Sequence, residues 1–203
     1  TNKTEHIKWY SSRNVYSECI VALGLKYDSI EAYLKSYGKY IVKQARKILD
    51  QKDKNTTGKL RKSLRYKVIE NENGFDIKFY ASKYAAFVNK GVSGTQTTRT
   101  YIDKDGKRKR SPFKYKSGLG NAPNITAIQS WINKRNIKAR DELGRFIKSK
   151  SLAYLISKSI QKKGIPAASF YTQPLSYSFN LFQKELVKNF KTDILNEIKT
   201  FKK

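Results

Sequence analysis

Hydrophobic and polar residues alternate most regularly in the second quarter of the chain. Leu64, Tyr66 and Val68 alternate with basic residues, and residues 75–79 repeat this two-residue period, which is typical of strands with one buried face. The two runs are separated by Asn73-Gly74, and Asn-Gly supplies the positive φ angles that a tight turn needs. The pattern predicts a β-hairpin with one apolar face. Because an isolated hairpin is not stable in water, helices must cover that face.

A helix is predicted before the hairpin, from Ile30 to about Gln51, because apolar residues recur there at helical spacing. The sequence DSIE at 28–31 resembles a capping box at the start of this helix. Gly38 lies in the middle, where glycine costs about 1 kcal/mol relative to alanine. The close approach of another backbone would explain a glycine at this position.

Three further helices are predicted in the C-terminal half. Residues 125–132 form a short helix capped by Asn124, and residues 152–160 form a second one that Gly164 closes. Leu155 is one of four aliphatic residues expected near the buried face of that second helix. The connector between them, residues 133–150, is basic and polar, and residues 166–174 are predicted to be extended. A long amphipathic helix then runs to the C-terminus, with its apolar stripe at Phe179, Phe182, Leu186, Phe190, Ile194, Ile198 and Phe201.

A second hairpin is predicted around Asp105-Gly106, with strands in residues 97–101 and 107–113. These strands contain little that is apolar, so the hairpin is a poor candidate for the core. We interpret residues 97–113 as a protruding basic arm or a mobile loop, and we call them the basic arm. The residues expected to contact DNA or a partner protein are Arg99, Lys104, Lys107, Arg108, Lys109 and Arg110.

Strands joined by tight turns, with helices before and after them, predict an α+β fold with an antiparallel sheet. The predicted fold also contains the protruding hairpin, a long helix in the N-terminal half, two short helices and a long C-terminal helix. We expect a single domain over residues 1–203. Residues 1–26 either pack on that domain or form an arm that docks on a neighbouring subunit. The other segments are a helix-plus-hairpin core at 27–94, the basic arm and its loop at 95–122, a helical insertion at 123–164, and a closing segment with the C-terminal helix at 165–203.

The chain is strongly basic, with 43 Lys and Arg against 16 Asp and Glu and a formal net charge of +27. Residues 1–55 contribute only +5 of this, so most of the charge lies in the middle and C-terminal parts. Such an excess indicates a polyanionic neighbour: nucleic acid, an acidic protein ring or an anionic membrane. Lysine outnumbers arginine, which favours diffuse attraction to phosphates over the reading of bases. Solvated lysines that keep the protein soluble would explain part of the excess.

Catalysis has little support in the sequence. His6 is the only histidine and Cys19 the only cysteine, so a multi-cysteine metal site or a histidine pair is excluded. Asp103 and Asp105 lie beside a turn, and turn chemistry explains them better than magnesium ligation does. We therefore expect no enzymatic activity, no cofactor or metal, and no small-molecule substrate. No apolar run approaches the ~20 residues of a membrane span, so no membrane partner is expected.

Three elements resemble a family of small virion proteins of tailed bacteriophages. TGKLRKSL at 57–64 is similar to the family's TG-x-L-(R/K)-x-S-(I/L) element, and YAAFVNKG at 84–91 to its YA-x-(Y/F)-V-E-x-G-T element. GIPAASF at 164–170, followed by Pro174, resembles its closing element before a C-terminal helix. Asn89 departs from the acidic residue usual there, and the resemblance covers residues 30–201 only. The residues carrying the motifs, and the candidates for a subunit interface, are Thr57, Gly58, Leu60, Tyr84, Ala85, Val88, Gly91, Phe170 and Pro174.

The family comprises tail-completion, or neck, proteins grouped with a tail component of a lambda-like phage. The resemblance implies a structural protein of the virion that joins head and tail as a homo-oligomeric ring around the DNA channel, without catalysis. Its partners would be further copies of itself, portal or adaptor proteins, tail proteins and packaged DNA. Its place would be the neck of the virion, reached from the host cytoplasm during assembly. The alternative from another class is a free-standing DNA-binding protein without sequence preference, and a nuclease is a weaker third option.

Overall fold

The computed structural model describes residues 27–53, 57–71 and 74–201. It confirms the α+β class, with antiparallel strand pairs and long helices near both ends of the described chain. The N-terminal segment 1–26, with His6 and Cys19, lies outside the described residues, as do the turn residues 72–73 of the first hairpin. In chain order the elements are α1 (Asp28–Gln51), α2 (Lys59–Ser63), β1 (Arg65–Asn71), β2 (Gly74–Tyr80), α3 (Ala85–Lys90), β3 (Val92–Ser93), β4 (Thr100–Ile102), β5 (Arg108–Arg110), α4 (Ile125–Lys134), α5 (Ser149–Lys163), β6 (Gly164–Ile165) and α6 (Thr172–Phe201).

The described chain forms two compact units, and the single domain expected over residues 1–203 stays a prediction. The first unit contains the described residues up to Ala85 and those from Phe170 onward, and the second unit is residues 86–169. The first therefore holds α1, α2, the β1–β2 hairpin and α6. The second holds two short antiparallel strand pairs, β3–β6 and β4–β5, and the α4–α5 helix pair. The β4–β5 pair belongs to the basic arm.

The first hairpin has the register that its hydrophobic pattern predicts. Tyr66 lies opposite Phe79 and Val68 opposite Ile77, so the apolar residues share one face. Helix α1 packs against both strands, and it also packs along α6. Gly38 of α1 is required by this packing, because a Cβ there would lie 2.7 Å from Cε2 of the Tyr66 ring. The close neighbour is thus an aromatic side chain and not a second backbone.

The start of α1 does not use the predicted capping box. Tyr27 occupies the N-cap position, and its side chain makes no capping hydrogen bond. The carboxylate of Asp193 in α6 caps the helix instead, since its oxygens accept from the backbone N–H groups of Ser29 at 3.1 Å and Ile30 at 3.0 Å. Asp193 is 4% exposed, so this contact across 163 residues ties the two long helices together in the interior of the first unit.

Helix α6 is longer than the sequence predicted. It begins at Thr172, so the last residues of the segment expected to be extended form its first turn. Pro174 is compatible with this because a first-turn residue has no intrahelical N–H bond to lose. Phe182, Leu186 and Phe190 are half-buried, as the predicted stripe requires, whereas Phe179 and Ile198 are exposed.

In the second unit, the two helices predicted there are present as α4 and α5. The buried residues of α5 differ from those that the sequence predicted. Asn124 caps α4 as predicted, because its Oδ1 accepts from the N–H of Thr126 at 2.8 Å. The buried row of α5 is Ala153, Ser157 and Gln161, while Leu155 is exposed. Ser157 and Gln161 are buried with partners, since both donate to backbone carbonyls of the segment that precedes α4. Of the four aliphatic residues expected near the buried face, Leu152, Ile156 and Ile160 are half-buried beside this row, and only Leu155 lies away from it.

Candidate functional site

The basic arm is a short antiparallel hairpin at its centre. Strands β4 and β5 pair with Tyr101 opposite Lys109, and the Asp103 N–H donates to the Lys107 carbonyl at 2.8 Å. Gly106 has φ 74°, the left-handed conformation that closes a three-residue hairpin loop. The hairpin predicted around Asp105-Gly106 is confirmed.

The base of the arm is fixed within the second unit by hydrogen bonds and is not a mobile loop. The Ile102 N–H donates to Ser169 Oγ at 3.1 Å, and Ser111 Oγ donates to the Gly91 carbonyl at 2.7 Å. Ser169 is buried and has φ 48°, a conformation that non-glycine residues seldom adopt. Tyr101 is buried as well, with the Lys90 ammonium 5.7 Å from its ring centre. The arm therefore contributes a residue to the core, contrary to the expectation from its composition.

Arg99 has a structural role that the sequence did not indicate. Its Nε donates to the carbonyl of Lys163 at 2.8 Å, and that carbonyl belongs to the last residue of α5. The N–H groups of Thr95 and Gln96 donate to the two preceding carbonyls, Gln161 at 2.9 Å and Lys162 at 3.0 Å. The segment before β4 thus satisfies the carbonyl groups that the end of a helix leaves without partners. A guanidinium at that end also interacts favourably with the helix dipole.

Lys109 is engaged as well, because its ammonium pairs with the carboxylate of Asp103. That carboxylate also accepts from the Lys104 N–H at 2.8 Å, and Asp103 is buried. Burial by itself raises the pKa of Asp103, but the hydrogen bonds from Lys109 and the backbone outweigh it, so the pKa lies below its ordinary value. The same pair raises the pKa of Lys109. This ion pair joins the two sides of the hairpin loop.

The remaining predicted contact residues, Lys104, Lys107, Arg108 and Arg110, are exposed, and strand β5 is exposed over its whole length. Side chains alternate along a strand, so Arg108 and Arg110 lie on one face of β5. They belong to a unit with 19 Lys and Arg against four Asp and Glu, a formal net charge of +15 over residues 86–169. Such a surface attracts phosphates or acidic protein through charge.

The nine motif residues are mostly structural. Leu60, Ala85, Gly91, Phe170 and Pro174 are buried, so their side chains cannot contact a neighbouring subunit in this structure. Val88 and Gly58 are half-buried, while Thr57 and Tyr84 are exposed and remain available for an interface.

The second and third motif elements meet in the second unit. The Ala168 N–H donates to the Val88 carbonyl at 2.8 Å, and the Ser169 N–H to the Asn89 carbonyl at 2.9 Å. A Cβ on Gly91, where φ is 70°, would lie 2.7 Å from the Ala167 nitrogen. The two elements therefore form one framework that only glycine at 91 permits.

Among the described residues, no group of three or more His, Cys, Asp and Glu could hold a metal ion. Within the same residues, no helix is long and apolar enough to cross a membrane. Comparisons with protein-family models, with curated proteins and with solved structures found no match to this chain. The resemblance to the phage family therefore rests on the three sequence elements alone.

Proposed function

We propose that this protein is a structural subunit of a tailed-phage virion, which forms a ring in the neck between head and tail and surrounds the DNA channel. The observation that carries the proposal is the concentration of positive charge in the second unit, +15 in 84 residues, together with the fully exposed basic strand β5. A ring with this unit facing the channel would present a positive lining to packaged DNA or to an acidic portal.

The exposed apolar surface of α6 supports assembly with other subunits. Large apolar side chains on a monomer are usually buried, and several exposed along one helix make that helix a candidate contact surface. A ring subunit needs two different complementary faces, because a head-to-tail contact must close on itself. The exposed apolar residues of α6 are Tyr177, Phe179, Leu181, Val187, Leu195 and Ile198.

The test of the virion role is a neutralised arm in a complementation assay. A Lys107→Gln, Arg108→Gln, Arg110→Gln variant removes exposed charge and leaves the Asp103–Lys109 pair intact. We expect normal folding but fewer infectious particles or weaker retention of DNA. A matched control, Lys59→Gln with Lys62→Gln, removes exposed charge from the first unit and should leave particle yield unchanged. Wild-type yield and infectivity for the arm variant, or absence of the protein from purified particles, would contradict the proposal.

The charge of the second unit also favours a second candidate, a DNA-binding protein that acts alone and without sequence preference. The isolated protein would then bind duplex DNA with an affinity that falls steeply with salt, and it would form no ring in any condition. Mass photometry with and without portal and tail proteins separates the two candidates. Rings that appear only with these partners support the virion role.

A further inference from the structure

Strand β2 has one edge that no other described strand covers, because it pairs with β1 alone in a sheet of two strands. Asn71 and Gly74 pair beside the two-residue connection and therefore form a hydrogen-bonded pair. Hydrogen-bonded and non-hydrogen-bonded pairs alternate along an antiparallel ladder, so the even-numbered residues of β2 direct their backbone groups to β1. We call the opposite edge of β2 the free edge. The residues whose N–H and C=O groups point to it are Phe75, Ile77 and Phe79.

The free edge has the properties of a surface that another strand can extend. It is the edge of a seven-residue strand, and unpaired backbone groups along such an edge are a template for a further strand. No described residue outside the hairpin forms a backbone hydrogen bond with the three residues of the free edge. Their side chains are half-buried on the face that packs against α1, where Phe79 lies opposite Tyr66. A further strand would enlarge this apolar face, and a sheet of two strands is only marginally stable.

The sequence of β2 is complementary to itself when two copies run antiparallel about Ile77. In that register Ile77 lies opposite its own copy and Phe75 lies opposite Phe79, and these pairs have their backbone groups on the free edge. On the other face, Asp76 of each copy comes opposite Lys78 of the other. A displacement by two residues would instead place Asp76 opposite Asp76 or Lys78 opposite Lys78. Backbone pairing, apolar pairing and charge therefore select the same register.

Within one chain, Lys78 lacks a strong ion pair and faces a like charge. It lies opposite Lys67 of β1, and like charges directly opposite one another are destabilising. The carboxylate of Asp76 lies 4.0 Å from the Lys78 ammonium and also accepts from the Asn71 side chain at 3.0 Å. In the antiparallel register, Lys78 gains the carboxylate of a second Asp76 on the side away from Lys67. A second copy of β2 thus supplies the anion that this face of the hairpin is short of.

We propose that the free edge of β2 binds the same edge of a second copy of this chain, in the antiparallel register centred on Ile77. The two hairpins then join into one four-stranded sheet. The contact uses the same surface on both copies, so it closes as a two-fold dimer. It is therefore separate from the head-to-tail contact that a ring requires, and it does not depend on the proposed function.

Charge reversal on β2 tests the contact by sedimentation velocity of the isolated full-length protein. Asp76→Lys or Lys78→Asp alone should weaken self-association about tenfold, because symmetry places two like-charged pairs in each dimer. The double variant with both reversals restores both pairs, so its association should return to within about threefold of the parent. Glu70→Lys is the matched control, since it reverses an exposed charge of β1 and should leave association unchanged. Circular dichroism checks that every variant is folded.

Two results of this experiment would overturn the proposal. One is a double variant that associates as weakly as the single variants, because the register would then be wrong. The other is a parent protein that stays monomeric at every concentration, which would leave the edge to another occupant, such as residues 1–26 of the same chain or a different protein.

Disulfide cross-linking gives a second readout of the register. Asp76 and the Lys78 of the second copy would form a non-hydrogen-bonded pair, in which side chains approach most closely. In a Cys19→Ser background, a mixture of Asp76→Cys and Lys78→Cys proteins should therefore cross-link faster than either protein alone. The control mixes Asp76→Cys with Lys67→Cys, an exposed position on the same face of β1. A mixture that cross-links no faster than this control contradicts the contact.

The outcomes for this contact and for the virion role are distinguishable. Dimers in solution formed by a protein that is absent from purified virions would keep the β2 contact and reject the virion role. Incorporation into virions of a protein that never pairs through β2 would do the reverse.

Discussion

Replacing Arg99 with alanine should destabilise the second unit, whereas the same replacement at Arg110 should not. Both are arginines of the basic arm, and the sequence assigned both to contact with DNA or a partner. The structure separates them, because the Arg99 guanidinium donates to the last carbonyl of α5 and Arg110 is exposed on β5. The pair is therefore a matched test of whether the end of α5 is capped by the segment before β4.

The expected loss for Arg99→Ala is about 1–2 kcal/mol of unfolding free energy. A hydrogen bond with a charged donor contributes ~1.5–3 kcal/mol, and a cation at a helix C-terminus ~0.3–1 kcal/mol. The contact at Lys163 is open to solvent, so water replaces part of it and the lower end applies. Thr95 and Gln96 keep their own bonds to α5. Arg110→Ala should stay within about 0.5 kcal/mol of the parent, as exposed substitutions usually do.

Urea unfolding followed by tryptophan fluorescence reports on the correct unit. The chain has two tryptophans, and Trp131 lies in α4 of the second unit. A Trp9→Phe background leaves Trp131 as the single reporter. The midpoint should fall in Arg99→Ala and remain unchanged in Arg110→Ala, while the salt dependence of DNA binding should weaken only in Arg110→Ala. Equal stability of the two variants would refute the capping role of Arg99.

Three further predictions concern contacts between distant parts of the sequence. Asp193→Ala should cost the first unit about 1–2 kcal/mol because α1 loses its cap. Glu31→Ala removes only an i,i+4 ion pair with Lys35 from the first turns of the same helix and should cost less. Equal losses in urea unfolding would contradict the cap. Gly38→Ala should destabilise the first unit by about 1–3 kcal/mol because the new methyl group meets the Tyr66 ring. In a Tyr66→Ala background, the same change should instead stabilise the first unit by up to ~1 kcal/mol, because alanine has a higher helix propensity than glycine. The pKa of Asp103 is lowered in the folded state, so the ionised carboxylate stabilises the fold at a pH above its unfolded-state pKa. This contribution to the free energy of unfolding should be lost as the pH falls below about 4. In Asp103→Asn, the unfolding free energy followed by Trp131 fluorescence should no longer show this loss at low pH, and an unchanged pH profile would contradict the pairing with Lys109.

The parts of the fold that the sequence predicted are those encoded by neighbouring residues. The β1–β2 hairpin follows from strict alternation and a turn sequence, and its register pairs Val68 with Ile77 as the pattern requires. The cap of α4 by Asn124 and the end of α5 at Gly164 are also local, since each depends on one residue beside the helix terminus.

The parts that the sequence did not predict depend on partners far along the chain. The sequence DSIE at 28–31 predicted a local cap, yet Tyr27 occupies the N-cap position and Asp193, more than 160 residues away, caps the helix. In α5, aliphatic spacing pointed to Leu155, but the buried row contains Ser157 and Gln161 because carbonyl groups of another segment lie there. Hydrophobic periodicity shows only where apolar side chains recur along the chain. It does not show which backbone groups of a distant segment become buried and need a side chain as hydrogen-bond partner.

The sequence likewise does not show which basic side chains already have partners within the protein. This affects how many cations the basic arm can offer to DNA. At least two of its six predicted contact residues have intramolecular partners, since Arg99 caps α5 and Lys109 pairs with Asp103. The Asp103 carboxylate neutralises Lys109, whereas the bond from Arg99 Nε to a neutral carbonyl leaves the charge of Arg99 in place, so the arm offers at most five uncompensated cations. Each phosphate neutralised on duplex DNA contributes ~0.9 to the slope of log affinity against log salt, so the arm can supply about 4.5 at most. A larger contribution would require Lys109 to leave Asp103, and breaking that ion pair would reduce the free energy of DNA binding. A count of basic residues therefore overestimates the number of cations that the arm can offer to DNA. The estimate must first exclude the residues whose charge is neutralised by an intramolecular partner.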